Sequence, residues 1–265
     1  MVRRASRTNP SIRSRGYQAF LFRVFIVTVV LVSLAGATFL FLSVYLFLRG
    51  ASFLRLKEVR IEGSRRLSAD EILGIIELRD EQNILSLDIK TLNRRLAEHP
   101  WIEKSMVKRV FPDGIHIVVQ EREPLAVIYL EKFYYVDAKG VIFDEARGHE
   151  RAAHPILTGI TRKDLEKGDR RAILLLEKAL KLLKMTQAVK IIPYRSISQI
   201  HLDRAVGVMV HTVDKGLEIR MGFDDFETKL QRLSKIWSEI GGMELDYIDS
   251  SIPGKVIVKQ KRADK

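Results

Sequence analysis

Two residues near the middle of the chain have the spacing of a hydrolytic site. Ser105 and Lys108 match the Ser-x-x-Lys pattern of penicillin-binding enzymes, in which the serine is the nucleophile. In those enzymes the serine begins a helix, and Ser-Asp-Asn and Lys-Thr-Gly elements complete the site. Ser105 instead falls in a predicted strand, and neither companion element occurs in the sequence. The pattern therefore does not predict a serine enzyme.

A second candidate motif, this one for zinc, lies near position 150. His149, Glu150 and His154 are similar to the His-Glu-x-x-His helix of zinc proteases. The two histidines are five residues apart instead of four, which rotates them off a common helix face, and Pro155 follows at once. The other histidines are scattered at positions 99, 116, 201 and 211. No metal site is predicted.

Composition removes further classes of chemistry. The chain has no cysteine, which excludes thiol catalysis, iron–sulfur clusters and cysteine zinc sites. It has neither a glycine-rich phosphate loop nor a Gly-x-Ser-x-Gly elbow. Neighbouring carboxylates such as Asp224 and Asp225 are explained by helix caps and solvated strand faces. The sequence therefore predicts no catalytic, cofactor or metal residues.

The element that would position everything else is a membrane anchor. The segment from Val24 to Leu48 contains no charged side chain. At a helical rise of about 1.5 Å per residue it reaches nearly 40 Å, enough to cross a hydrocarbon core of about 30 Å with some tilt. A cleaved signal peptide has an apolar run of only roughly 7–15 residues. A buried globular helix is rarely apolar on every face. We therefore predict a single transmembrane helix over residues 24–48.

The charges beside this segment predict its orientation. Seven of the formal net +12 charges flank it, on Arg3, Arg4, Arg7, Arg13, Arg15, Arg23 and Arg49. The basic arm of residues 1–23 has no acidic residue, so the positive-inside rule keeps it cytoplasmic and exports the chain after Arg49. We expect Met1–Gly16 to be disordered and to attach to anionic head groups. The high net charge is thus largely a topology signal, and nucleic-acid binding is not predicted.

The exported part is long enough for two domains, each with its own core. In the first, an extended segment ends at Glu62-Gly63, and Ser68 precedes an amphipathic helix. Asp88 caps a second helix over residues 89–97, whose inward stripe includes Leu92 and Leu96. Strands from Ser105 and from Ile115 flank the turn Pro112-Asp113-Gly114. The predicted order is β-α-α-β-β, a three-stranded sheet with both helices on one face.

The second exported domain is predicted to be strand-rich with two long helices. The first helix covers Asp164–Thr186 with Ile173, Leu176, Leu180 and Leu183 facing inward, and the second covers Phe226–Ile240 and ends at Gly241-Gly242. A closing hairpin joins Leu245–Asp249 to Lys255–Lys259 through a turn at Ile252-Pro253-Gly254. A last strand with nothing after it tends to be a sheet edge, which either accepts a strand from another chain or is protected by Lys255 and Lys259.

The first exported domain resembles the POTRA module of the bacterial division protein family FtsQ/DivIB. The resemblance rests on a series of segments in fixed order just after a single span: Glu62-Gly63, Asn83–Asp88, Pro100-Trp101-Ile102, Val107–Gly114 and Glu121–Ala126. It continues less sharply to the C-terminus. It implies an α+β fold with one transmembrane helix, a β-α-α-β-β POTRA domain over residues 53–123, and a mixed β-sheet domain with two flanking helices over residues 124–260. Residues 261–265 form a tail.

The resemblance also implies partners and the residues that meet them. In this family the last strand and the helix before it receive the partner FtsB. The resemblance implies FtsB and FtsL as partners and, through them, the septal peptidoglycan synthases. Matched by position, the receiving residues are Ile252, Gly254, Lys255, Val256 and Val258. The chain departs from the best-known pattern at two places, because Ile252 replaces an aromatic residue and Gln260 stands where tryptophan is expected. Val107 and Arg109 align with the POTRA strand thought to recruit the protein to the division site.

We therefore expect an inner-membrane division scaffold at the septum, with its N-terminus cytoplasmic and its C-terminal domains periplasmic. One alternative is a component of outer-membrane assembly or secretion, since POTRA modules also precede membrane barrels. Such a barrel needs at least about eight strands of roughly ten residues, and two long helices follow Pro124 instead. The other alternative is a membrane-tethered cell-wall enzyme, which would require a pocket of convergent polar groups.

Overall fold

The computed structural model describes residues 11–78, 82–188, 192–213, 216–240 and 243–261. Within these ranges, the side chains of residues 11–19, 49–50 and 149–150 are not part of the description. Residues 1–10 of the predicted arm, the predicted stop at Gly241-Gly242 and most of the predicted tail lie outside the described residues.

The described residues begin with one long helix, α1, over Ser11–Gly50. Within it, Phe20–Leu48 is long and apolar enough to cross a membrane, and none of this stretch is buried in the protein. The hydroxyls of Thr28 and Thr38 donate to the carbonyls of Val24 and Leu34 at 2.8 Å, so these two hydroxyls bond within the helix.

The start of α1 differs from the sequence expectation. Disorder was expected through Gly16, whereas the described helix begins at Ser11. Helix extension adds one hydrogen bond for each residue that it fixes, so an apolar span that has already formed the helix can extend it into a polar flank. The sequence from Ser11 to Gly16 contains no proline to stop that extension.

After α1 come three strands and two helices in the predicted β-α-α-β-β order. Their bounds are β1 Glu58–Glu62, α2 Ala69–Ile76, α3 Ile89–Glu98, β2 Ile102–Val110 and β3 Gly114–Glu121. The strands form a sheet in the order β1-β3-β2, and β1 runs parallel to β3. Asp88 caps α3 as predicted, because its carboxylate accepts from the backbone N–H of Lys90 at 3.1 Å.

The glycine that ends β1 is required by its backbone. Gly63 has φ +88°, and a Cβ there would lie 2.0 Å from the carbonyl oxygen of Val119. Any other residue would have to move that backbone, which explains why the strand ends in Glu62-Gly63.

The rest of the chain forms a nine-stranded mixed sheet with helices. The strands are β4 Pro124–Leu130, β5 Lys132–Asp137, β6 Ile142–Glu145, β7 Ile156–Thr158, β8 Ile197–Asp203, β9 Gly207–Thr212, β10 Glu218–Gly222, β11 Leu245–Asp249 and β12 Ile257–Gln260. The helices are α4 Arg162–Glu166, α5 Arg170–Ala188 and α6 Phe226–Ile240. The sheet order is β12-β11-β10-β9-β8-β7-β4-β5-β6. The α+β fold class predicted from the sequence is confirmed.

The first long helix of this region is divided, contrary to the prediction of one helix over Asp164–Thr186. Gly168 adopts φ +65° between α4 and α5. The Asp169 carboxylate then accepts from the N–H of Arg171 at 2.9 Å and caps α5. Ile173 was predicted to face inward but is 36% exposed, whereas Leu176, Leu180 and Leu183 are buried as predicted.

Tertiary contacts divide the chain into two compact units. The first unit contains the residues up to Glu62, Ala69–Asn93 and Met106–Val118. The second contains Gly63–Ser68, Arg94–Ser105 and Val119–Lys265. The boundary predicted at residues 123 and 124 stays a prediction.

The core of the second unit can be tested on two leucines of α5. Leu183 is fully buried and Leu174 is 50% exposed. We expect Leu183→Ala to lower the free energy of unfolding by about 2–5 kcal/mol, since it removes buried apolar atoms and leaves a cavity. The matched change Leu174→Ala should cost less than about 0.5 kcal/mol. Chemical denaturation of the detergent-solubilised chain measures both, and equal effects would contradict this placement of α5.

Candidate partner-binding edge

The last strand, β12, lies at one edge of the nine-stranded sheet. Antiparallel pairing with β11 places Ile257 opposite Asp249 and Val258 opposite Ile248. No strand of the described residues pairs with the other side of β12. A row of backbone N–H and C=O groups on that side is therefore available to another strand.

The side chains of β12 and the residue before it alternate between the core and the solvent. Val256 and Val258 are half-buried and pack against the hydrophobic core, whereas Ile257 is 44% exposed. A strand added beside β12 would also place alternate side chains toward the core and toward solvent. It would therefore need apolar residues on the core side, next to Val256 and Val258.

The turn before β12 contains the remaining predicted contact residues. Ile252 is 42% exposed, and Gly254 and Lys255 are also exposed. Gly254 has φ +77°, and the N–H of Lys255 donates to the carbonyl of Ile252 at 3.3 Å. The strand was predicted to begin at Lys255, but it begins at Ile257 because this turn occupies the residues before it.

An ion pair and the aromatic ring of Tyr247 stabilise the hairpin of β11 and β12. The Lys259 ammonium lies 2.8 Å from the Asp246 carboxylate and 5.4 Å from the centre of the Tyr247 ring. Arg220 of β10 lies 4.5 Å from the same ring. The hydrogen bond from Lys259 lowers the pKa of the Asp246 carboxyl, and the same bond raises the pKa of Lys259. Sequence reasoning did not predict this cluster of Lys259, Asp246, Tyr247 and Arg220. The only local signal was the alternation of side chains along β11, which does not show which residues of other strands lie beside them.

Gln260 stands at the end of β12, at the position where the resemblance led us to expect tryptophan. Its side chain is exposed, and its amide donates to the sulfur of Met243 at 3.3 Å. This position therefore presents a polar amide beside a thioether, and it lacks the large apolar area of an indole.

The predicted recruitment residues sit on β2, an edge strand of the three-stranded sheet. Val107 is only 4% exposed, and its N–H donates to the side chain of Asn93 at 2.9 Å. Arg109 is exposed at the surface, but its guanidinium donates to the carbonyls of Ile84, at 2.7 Å, and Leu87. The structure thus shows positioning contacts for both residues, and the recruitment role stays a prediction.

The residues with catalytic spacing do not form a site. Ser105 and Lys108 both lie on β2, and their separation by three residues puts them on opposite faces of the strand. His154 bonds through Nδ1 to the hydroxyl of Tyr194 at 2.9 Å, and burial lowers the pKa of this histidine. Among the described residues, no group of three or more histidine or acidic side chains could hold a metal ion.

The Pro-Trp-Ile and Glu-Arg-Glu-Pro segments meet inside the second unit and are structural. Trp101 is buried and donates its indole N–H to Asp144 at 2.6 Å. Arg122 pairs with the buried carboxylate of Asp137 at 2.5 Å. Glu121 accepts from the N–H of Leu67 at 2.8 Å and from that of Arg66. Partial burial acts to raise the pKa of Glu121, but these bonds outweigh it and leave the pKa lowered.

Family models match both parts of the chain after the apolar helix. The model described as "POTRA domain, FtsQ-type" matches residues 54–122, and the one described as "Cell division protein FtsQ/DivIB, C-terminal" matches residues 126–251. A curated relative named cell division protein FtsQ, from Syntrophotalea carbinolica, is 33% identical and covers 79% of this chain and 75% of its own length. The chain belongs to the FtsQ/DivIB family of cell division proteins.

Other members of the FtsQ/DivIB family are similar over comparable lengths. The cell division protein FtsQ of Geobacter sp. strain M21 is 32% identical over 85% of this chain and 83% of its own length. That of Anaeromyxobacter sp. strain K is 34% identical over 72% of this chain and 64% of its own. Family membership and the single N-terminal apolar helix together indicate a bitopic membrane protein. The matched FtsQ/DivIB region ends at residue 251, so β12 and the turn before it follow the matched residues.

The ion pair on the hairpin makes a prediction about pH. Because the pKa of Asp246 is lowered from its ordinary 3.8, the pair stabilises the hairpin above that pH and is lost as the pH falls through the lowered pKa. We expect Lys259→Met to raise the Asp246 pKa toward its ordinary value, measured by NMR titration of the carboxyl carbon, because the bond from Lys259 is the main cause of the lowering. Lys255→Met is the matched control and should leave it lowered. An Asp246 pKa that is the same in all three proteins would contradict the ion pair.

Proposed function

We propose that this FtsQ/DivIB-family protein is a scaffold of the division machinery that binds FtsB by adding a strand to β12. The observation that carries the proposal is the edge position of β12, with a backbone row that no described strand covers. Its partners would be FtsB and FtsL, and through them the protein would act on the septal peptidoglycan synthases. The work of the protein would be binding rather than turnover, since its named relatives are cell division proteins.

The geometry of the edge supports strand addition over a flat side-chain contact. The two half-buried valines, Val256 and Val258, present an apolar row on the core side, and helix α6 adds the partly buried Ile236 and Trp237 to the same core. Backbone pairing would supply affinity, and this apolar row would supply specificity. The interface so formed tolerates Gln260 in place of tryptophan, because the backbone ladder does not depend on that side chain.

Proline substitutions test the ladder directly. Successive backbone N–H groups of a strand point to opposite sides. Of the two variants Ile257→Pro and Val258→Pro, one therefore removes an N–H that bonds to β11. The other removes an N–H that points away from β11, toward the proposed partner strand. Thermal unfolding identifies the outward one as the variant that keeps the stability of the parent. We expect that variant to bind FtsB at least about tenfold more weakly when the full-length chain is co-purified from membranes.

Ile257→Ala is the matched control, since it shortens the exposed side chain and keeps the N–H. It should retain most of the FtsB binding. If the stable proline variant still bound FtsB as the parent does, strand addition at β12 would be refuted.

We also propose that the N-terminus is cytoplasmic and that the two predicted exported domains, residues 53–123 and 124–260, lie in the periplasm at the septum. The support is the run of arginines before the apolar helix and the absence of acidic residues there. A reporter that is active only outside the cytoplasm, such as alkaline phosphatase, should be active when fused after Lys265 of the full-length chain and inactive when fused before Met1 of the full-length chain. Activity of the Met1 fusion together with inactivity of the Lys265 fusion would reverse the proposed orientation.

A further inference from the structure

One end of the first unit carries large apolar side chains that face solvent. Phe53 is 51% exposed, Val110 is 50% exposed and Phe111 is 64% exposed. Apart from α1, the only other exposed large apolar side chain among the described residues of this unit is Met106. Apolar side chains gathered at one place usually mark an interaction surface.

Hydrogen bonds from the loop 82–87 hold this end of the unit against the end of α1. The Asn83 amide donates to the carbonyl of Leu48 at 2.9 Å, and its oxygen accepts from the N–H of Leu85 at 2.9 Å. The N–H of Ile84 donates to the carbonyl of Leu54 at 2.9 Å. Asn83 thus satisfies one of the carbonyls that the last turn of α1 leaves without a helical partner. The loop around Asn83 must lie where the apolar stretch ends.

The β2–β3 turn lies at the same end. Arg109 donates to the carbonyl of Ile84, next to Asn83, at 2.7 Å. The N–H of Lys57 donates to the carbonyl of Asp113 at 2.8 Å. Because β1 and β3 are parallel and pair Glu58 with Gly114, both strands start here and run away from α1. Val110 and Phe111 are therefore near the point where α1 leaves the membrane.

We propose that Phe53, Val110, Phe111 and the loop 82–87 form a juxtamembrane face that rests on the lipid bilayer. The bilayer is the occupant that the contacts favour, because this face is continuous with the apolar stretch that ends at Leu48. Aromatic side chains at the boundary of head groups and acyl chains are stabilised there. The proposal depends on α1 as a membrane helix and not on FtsB.

The charges of this end fit an anionic lipid surface. Its described basic residues outnumber its acidic ones: Arg55, Lys57, Lys108 and Arg109 against Glu58, Asp88 and Asp113. One of these acids, Asp113, is paired with Lys57 at 3.3 Å. Basic residues beside a membrane helix are attracted to anionic head groups. Arg109 then acts as a positioning residue, since its guanidinium holds the β2–β3 turn to the Asn83 loop.

The absence of cysteine allows a clean test. Single variants Phe53→Cys, Phe111→Cys and Glu62→Cys of the full-length chain are labelled with the fluorophore NBD and reconstituted in phosphatidylethanolamine–phosphatidylglycerol vesicles without any other protein. Glu62, at the far end of β1, is the matched control. We expect nitroxide-bearing lipids to quench the labels at positions 53 and 111 and to leave the label at 62 unquenched. Aqueous iodide should show the reverse order.

If the labels at 53 and 111 were as accessible to iodide as the label at 62, the juxtamembrane face would be refuted. FtsB is absent from these vesicles, so that result would leave strand addition at β12 unaffected. The role of Asn83 is tested by adding Asn83→Ala to the Phe111→Cys variant, which should reduce the lipid quenching. Unchanged quenching would show that Asn83 does not hold the face in place. Unchanged emission of Trp101 and Trp237 in unlabelled protein controls for folding.

Discussion

The edge position of β12 depends on one parallel strand pairing. β10 and β11 run parallel, with Glu218 opposite Tyr247 and Ile219 opposite Ile248, and helix α6 makes the crossover between them. The crossover places β11 beside β10, so β10 occupies one side of β11. The next strand, β12, forms a hairpin with β11 and can therefore pair only with its other side. The edge position of β12 is thus a consequence of the crossover. The sequence of β12 itself does not determine it.

The crossover is held by a buried ammonium group. Lys229 of α6 is 3% exposed and donates to the backbone carbonyls of Met221, at 2.9 Å, and Asp224, at 2.7 Å. A buried charge is tolerated only when its hydrogen bonds are satisfied, and these two bonds join the start of α6 to the end of β10. A comparable polar contact occurs in the first unit, where the Asn83 amide bonds to the end of α1. Two buried or half-buried polar side chains thus fasten the elements that the proposed interactions use.

Local signals were sufficient for most elements of the fold. The charge-free stretch, the cap at Asp88 and the apolar face of α6 each lie within a few residues of the element that they specify, and the structure has each element. The break at Gly168 and the exposure of Ile173 were not predicted. The apolar residues keep a helical spacing on both sides of Gly168, so their periodicity does not reveal a break. The break depends on the turn at Gly168 and on the cap that the Asp169 carboxylate provides for α5.

By itself, the sequence determined the anchor, the order of elements and the family resemblance, because apolar periodicity, turn residues and motif spacing are properties of short segments. Only the tertiary structure decided which side chains meet. Lys259 pairs with Asp246 across the hairpin, Arg109 is bonded to a loop more than twenty residues away, and Asn83 bonds to the carbonyl of Leu48. Each of these contacts joins segments that are separated in the sequence. Which segments lie next to each other is decided by the packing of the whole fold, and patterns within a short segment do not contain that information.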